Sequence, residues 1–366
     1  MDRKLMKTLS ELIEINTINP PGNEMRIIEY IQNRIPYCNY IVDRISENRG
    51  NLIYEIKGRE NSTIAIIGHM DTVPISDETL WKTPPLEMKR INDEVFGRGV
   101  SDMKSGIAIM IMLTELFINQ KPKYNIKFIY TCDEESLGKG IRSIVKQNFL
   151  DDVDMVLIPE PTENKLGLKE KGAIWIEGYG KGRSAHGCNI SEGINAIEIA
   201  LEFKEKVCLE IERLDYSELL GRNTVSINKL KSGTKTNIVP DNAQFELDIR
   251  YNVSSKKEDI LKVLDKVKLS MKKKYDQEVI EYSVIDNKNS LISIINHDLI
   301  QEMIHNLPKE EVGVKYFTDM AVISEKYDLP FLIFGPGYPE ECHVIDEKAS
   351  VSKIIEGYHY YKRILK

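Results

Sequence analysis

Seven side chains able to bind a metal ion or move a proton lie at or just beyond the ends of short apolar runs. IAIIGHMDTVP carries His69 and Asp71, GRGVSDMKSG carries Asp102 ahead of a helical stretch, TCDEESLG carries Glu134 and Glu135, VLIPEPT carries Glu160, and GPGYPEECHVIDE carries His343. Singly, each has an ordinary explanation. A histidine at a strand end is commonly a satisfied polar group, Asp102 can be a helix N-cap, Glu134-Glu135 can be a solvated loop, and Glu160 before Pro161 can be a turn residue. Gathered in one place they resist that explanation, because like charges repel and lose water unwillingly unless cations compensate. Two histidines, one bridging carboxylate and two terminal carboxylates suit two divalent ions, most naturally zinc, with cobalt or manganese as alternatives. One glutamate is then left over. Adjacent residues at a strand end point in different directions, so Glu135 is expected to bind metal while Glu134 faces the water between the ions as general base. Asp71, two residues from His69, suits accepting the imidazole N–H and fixing the coordinating tautomer. Asp133 is expected to be structural, and the charge run needs a positive group nearby.

These groups converge only if the strands that carry them end on one rim. Strands are expected at 51–57, 63–68, 126–131 and 153–158, and helices at 3–15, 104–119 and 139–148. Such alternation predicts an α/β unit, a mixed, mostly parallel sheet flanked by helices, with ligands beyond the carboxyl ends of the strands. Residues 173 to 285 read differently: strand 173–180, helix 192–213, strands 223–230 and 243–251, helix 256–274, strand 278–285. That is the βαββαβ order of a ferredoxin-like unit. A helix at 298–306, the strand 330–334 and a closing helix at 350–364 return to the first pattern. The expected division is therefore a catalytic domain of 1–172 and 287–366 with an insert at 173–286.

With 366 residues, 42% hydrophobic and 29% charged, the chain has the composition of a globular protein large enough for two domains. The formal charge of -7 argues against a nucleic-acid partner, and Lys272–Lys274 reads as a solvated helix end. The opening residues form an amphipathic helix without a signal-peptide core, and the apolar stretch 107–117 is too short to cross a bilayer, so no membrane partner is expected. Five cysteines (38, 132, 188, 208, 342), odd in number and without a CxxC pair, favour reduced thiols and a cytoplasmic location.

The motifs NPPGNE (19–24), GHMDTVP (68–74), GRGVSDMKSG (97–106), TCDEE (131–135), PEPT (159–162), GRSAHG (182–187), TNIVPD (236–241), DIR (248–250) and GPG followed by His343 resemble, in order, those of the M20 metallopeptidase family. These co-catalytic zinc amidohydrolases include acetylornithine deacetylase, succinyl-diaminopimelate desuccinylase, aminoacylase and a glutamate carboxypeptidase. The resemblance implies a zinc-peptidase-like catalytic domain in which His69 and Glu160 hold one ion, Glu135 and His343 the other, and Asp102 bridges them. It also implies a cis peptide after Asp102. The insert corresponds to a lid and dimerisation domain, hence an expected homodimer. On it, His186 would stabilise the oxyanion, often from the other subunit, while Asn237 and Arg250 would grip the substrate, the arginine fork suiting a carboxylate. Gly172, Gly178, Gly180 and Gly182 border or enter the lid and are expected to supply hinge freedom. Cys132 stands where many relatives carry alanine, and is expected to be either a small buried residue or a thiol that makes the enzyme sensitive to oxidation or to heavy metals.

The reaction expected is hydrolysis of an amide by an ion-activated water, with Glu134 moving the proton. The first reading of the substrate is an N-acyl amino acid, deacylated as by acetylornithine deacetylase or succinyl-diaminopimelate desuccinylase; a dipeptidase or carboxypeptidase acting on short peptides is the second. A non-catalytic metal-binding homologue is a third, and it predicts a lost base or lost ligands, whereas all are present.

Overall fold

The run TIAIIGH, Thr63–His69, is buried at every position, which a strand tolerates only when both faces of its sheet are covered. The computed structural model describes residues 1–36, 39–214 and 216–366, leaving Cys38 outside the described residues. In it, Asn125–Thr131, Thr63–His69, Met155–Ile158 and Phe331–Ile333 lie side by side and parallel. Gly50–Ile56 and then Tyr40–Arg44 extend the sheet antiparallel beyond Asn125–Thr131. Leu166–Glu170 adds antiparallel beside Phe331–Ile333. The parallel centre follows from the crossover helices between its strands, and the antiparallel margin from the short link between Tyr40–Arg44 and Gly50–Ile56, too short for a crossover.

Helices Asp2–Glu14, Lys104–Asn119 and Val351–Leu365 pack on one another and share one hydrophobic core with the sheet. Lys104–Asn119 is buried at every position from Lys104 to Thr114. Its apolar run therefore serves the protein interior, and no helix among the described residues is long and apolar enough to cross a membrane. Each fully buried leucine or isoleucine here contributes roughly 1.5–3 kcal/mol. Helix Met25–Arg34 was absent from the sequence expectations, although Met25, Ile28 and Ile31 recur at helical spacing and face inward.

The chain divides into two compact units, one of residues 1–168, 293–314 and 318–366, the other of 169–292 and 315–317. The second unit runs Gly172–Lys181, helix Ala196–Glu212, Thr224–Ser232, Asn242–Tyr251, helix Lys257–Tyr275 and Ile280–Lys288, a βαββαβ order. Its four long strands are antiparallel in the order Thr224–Ser232, Asn242–Tyr251, Gly172–Lys181, Ile280–Lys288. Along Asn242–Tyr251 burial alternates, so Ala243, Phe245, Leu247, Ile249 and Tyr251 form the inner face. Phe203 meets Phe245 there at a ring separation of 6.0 Å.

Two of the glycines expected to act as hinges also have a packing role. Phe245 lies directly across from Gly178, and a Cβ on Gly178 would fall 2.2 Å from its ring. A Cβ on Gly182 would fall 2.0 Å from the carbonyl oxygen of Ile194. Neither glycine has positive φ. Close packing inside the second unit accounts for both.

Candidate metal centre

The carboxyl ends of the four parallel strands deliver most of the candidate ligands. His69 is the last residue of its strand and pairs in register with Thr131, the last of its neighbour, after which Glu134 and Glu135 follow. Glu160 follows Met155–Ile158. After Phe331–Ile333 the turn at Gly335 passes so close to this strand end that a Cβ there would sit 2.4 Å from the carbonyl oxygens of Pro159 and Glu160. The chain then reaches His343, whose φ is 65°. Asp102 stands before helix Lys104–Asn119, but Met103 occupies the N-cap and no side chain caps it, so the ordinary capping explanation of Asp102 does not hold. The Asp102–Met103 peptide is cis.

One oxygen of Asp102 lies 3.1 Å from Nε2 of His69 and the other 3.2 Å from Nε2 of His343. Glu160 approaches His69 Nε2 at 3.3 Å, and Glu135 approaches His343 Nε2 at 3.0 Å. The five groups thus form two histidine–glutamate pairs that share one aspartate. His69 is 2% exposed and His343 52%, so the cluster is closed at the first pair and open at the second. Nδ1 of His69 lies 3.1 Å from the backbone carbonyl of Asp71 and 3.7 Å from its carboxylate. The carbonyl, rather than the expected carboxylate, therefore holds the N–H and turns the Nε2 lone pair toward Asp102 and Glu160.

Protein charges alone do not balance here. Burial, with Asp102 adding repulsion, pushes the Glu160 carboxyl up to about 7. Burial and Asp102 likewise raise Glu135. Burial raises Glu134 well above the carboxylate range, Glu160 and Glu135 adding to it against the pull of His69. His343 is pushed up to about 11, burial being outweighed by Glu135 and Asp102. Asp102 is held well below its ordinary value, burial being outweighed by the two imidazoles. Oε2 of Glu160 is buried with no hydrogen-bond partner among the described residues. Donor atoms of His69, Asp102 and Glu135 lie within 4.8 Å of one another. Cations would satisfy the orphaned oxygen and the crowded carboxylates together, and imidazole plus carboxylate donors fit zinc, cobalt or manganese.

Behind the cluster, Asp71 supports the neighbouring loop: its carboxylate oxygens accept from the backbone N–H groups of Glu134 at 3.2 Å and Glu135 at 3.3 Å. Asp133, in the left-handed region at φ 68°, turns the other way. It accepts from Arg49 Nη1 at 2.6 Å, Asn19 Nδ2 at 3.1 Å and the Lys139 N–H at 3.1 Å. Arg49 also donates through Nε to Glu24 at 3.0 Å. It is the positive group that the acidic run requires, and sequence reasoning missed it: in SENRGN it stands in a polar turn like any surface arginine. Cys132 is fully buried, and burial followed by Glu24 and Asp71 drives its thiol pKa upward. The expected sensitivity to oxidation is thus unsupported, since thiolate character and access are both low.

His186, Asn237 and Arg250 belong to the second unit. His186 is exposed on the short strand Ala185–His186, paired with Ile238 beside Asn237. Its Nδ1 accepts from the Cys188 N–H at 3.2 Å, leaving the neutral ring's proton on Nε2 as a donor. Arg250 is already engaged, Nε and Nη2 lying 2.7 and 3.0 Å from the Asp248 carboxylate, with the guanidinium 5.1 Å from the Phe317 ring centre. Its Nη1 side makes no hydrogen bond among the described residues.

The profile of peptidase family M20/M25/M40 matches residues 65–366. The "Probable succinyl-diaminopimelate desuccinylase" of Staphylococcus aureus is 27% identical, covering 94% of this chain and 93% of its own. Among solved structures, an M20 family metallo-carboxypeptidase from Sulfolobus solfataricus superposes with a TM-score of 0.81 at 16% identity, over 99% of this chain and 98% of that one. A tripeptidase from Staphylococcus aureus gives 0.79 at 20% identity, over 100% and 98%.

Proposed function

The chain belongs to peptidase family M20/M25/M40, a metal-dependent hydrolase of amide bonds, and we propose that the amide it cleaves is that of an N-acyl amino acid, from which it removes the acyl group. The observation that carries the two-cation part of this reading is the Asp102 carboxylate, one oxygen toward His69 and the other toward His343. In it, His69 and Glu160 hold one divalent ion, His343 and Glu135 the second, and Asp102 both, zinc being the proposed metal. Bound there, the ions supply Lewis acidity to the amide carbonyl and lower the pKa of a water.

The side chains of this protein do the rest. Glu134 shares its loop with Glu135 but makes no side-chain hydrogen bond among the described residues, so its carboxylate is available to take the proton of the attacking water and return it to the leaving amine. Asp71 holds the backbone of both glutamates and so keeps base and ligand in a constant relation. His186 serves as the oxyanion donor through its Nε2–H. Asn237 and the Nη1 side of Arg250 bind the substrate carboxylate. The second unit, which contains the expected insert 173–286, is proposed to be the lid and the dimerisation surface of a cytoplasmic homodimer.

The sequence likeness to the desuccinylase over 94% of the chain favours deacylation. The peptidases among the fold relatives favour the second reading, cleavage of short peptides. Both reactions break an amide next to a free carboxylate. Assay of the zinc-loaded protein against N-acetylornithine, N-succinyl-diaminopimelate, N-acetyl-lysine and a dipeptide panel separates them. The N-acyl compounds are expected to turn over faster, and turnover of peptides alone would sink the deacylase reading.

A further inference from the structure

The loop that carries Asp102 is organised by a carboxylate from the far end of the chain. Oε1 of Glu347 accepts from the backbone N–H groups of Ser101 at 2.8 Å and Asp102 at 3.1 Å. Its Oε2 accepts from the Gly99 N–H at 3.0 Å and from Arg98 Nη1 at 2.7 Å. The Glu347 carbonyl accepts from the Gly97 N–H at 3.1 Å. Both Glu347 and Arg98 are 1% exposed. Arg98 also reaches the Pro74 carbonyl at 3.2 Å, on the segment that follows His69 and Asp71. Glu347 itself lies four residues after His343. The backbone N–H groups of Gly99, Ser101 and Asp102 and one side of the Arg98 guanidinium are thereby tied to the segment bearing the open-end histidine.

Resting on the two-cation reading above, we infer that Glu347 is the positioning residue of the centre, holding the shared Asp102 carboxylate and the His343 segment at one mutual spacing. An ordinary buried ion pair needs only Arg98. Glu347 instead directs three backbone N–H groups, two of them at Asp102 and its immediate neighbour, and so sets where the Asp102 side chain begins. Because Asp102 faces both histidines, displacement of this turn changes both ion sites together.

The test is a titration of Co2+ into chelator-stripped wild-type, E347Q and the double variant R98M/E347Q, followed by calorimetry and by the visible d–d bands, with thermal unfolding of the metal-free proteins alongside. Gln keeps the volume but presents N–H groups to two of the four donors; the double variant removes the uncompensated guanidinium, and carries the test if E347Q fails to fold. Wild type is expected to bind two ions per chain. The folded variant is expected to lose about 10- to 100-fold in affinity at both sites, with altered d–d bands. Leu9→Ala, a cavity in the core that removes none of these hydrogen bonds, is the control for destabilisation as such and should leave both affinities unchanged. Wild-type affinity in the folded variant, or weakening of one site alone, overturns the inference while leaving the two-cation reading intact. A wild-type chain that binds no second ion overturns that reading and the inference with it.

Discussion

Arg49 places Nη1 2.6 Å from a carboxylate oxygen of Asp133, a residue 84 positions further along the chain. Through Nε and Nη2 the same guanidinium meets Glu24, which is fully buried, and it stands 3.9 Å from the equally buried Asp71. One cation thus serves three buried carboxylates directly behind the loop of Glu134 and Glu135.

Replacing Arg49 by Met leaves those carboxylates buried without their counter-charge. The expected cost is about 3–5 kcal/mol of folding stability, as for a buried pair deprived of one partner. Urea unfolding of the metal-free protein measures it. A loss below about 1 kcal/mol, the scale of a surface pair, would contradict the role given to Arg49.

Glu134→Gln preserves shape and removes only the capacity to take a proton. The variant should keep the metal content of the wild type while kcat falls by about 10²–10⁴-fold. Elemental analysis beside steady-state kinetics checks both halves. Near-normal turnover with full metal content would remove Glu134 from the proton path.

Metal removal should abolish hydrolysis and also lower Tm, because the carboxylates crowded around Asp102 then repel without compensation. Re-addition of Zn2+ should restore both, with Tm rising as free metal exceeds its dissociation constant. Activity unchanged after exhaustive chelation would refute the metal centre. Asp102→Ala should lower the bound-metal stoichiometry at both sites rather than one, read by elemental analysis of the dialysed protein.

Gly178→Ala distinguishes packing from hinge motion. The new methyl would fall 2.2 Å from the Phe245 ring, so the second unit should lose about 1–3 kcal/mol as in other overpacked cores. With glycine serving packing alone, kcat per folded molecule should stay the same at temperatures well below unfolding. A normal Tm with altered kcat would restore the hinge explanation.

The identities and order of the candidate ligands were legible in the chain because donor chemistry is a property of residue type and strand ends are marked by where apolar runs stop. His69, Glu134, Glu135 and Glu160 all follow such runs, and a parallel centre built from crossover units must bring those ends to one edge. The βαββαβ order of the second unit was legible for the same reason, since period-2 and period-3.6 patterns are local.

Which groups answer one another across the chain is visible only once the elements are packed. Arg49 and Asp133 are 84 positions apart and Glu347 and Asp102 are 245, and neither pairing leaves a trace in local spacing. The same holds for the carbonyl of Asp71 in place of its carboxylate, for Asp248 on Arg250, and for Phe245 against Gly178. Periodicity determines which face a side chain takes, whereas its partner is set by how packed elements meet, and a buried charge or an absent Cβ acquires its reason only there.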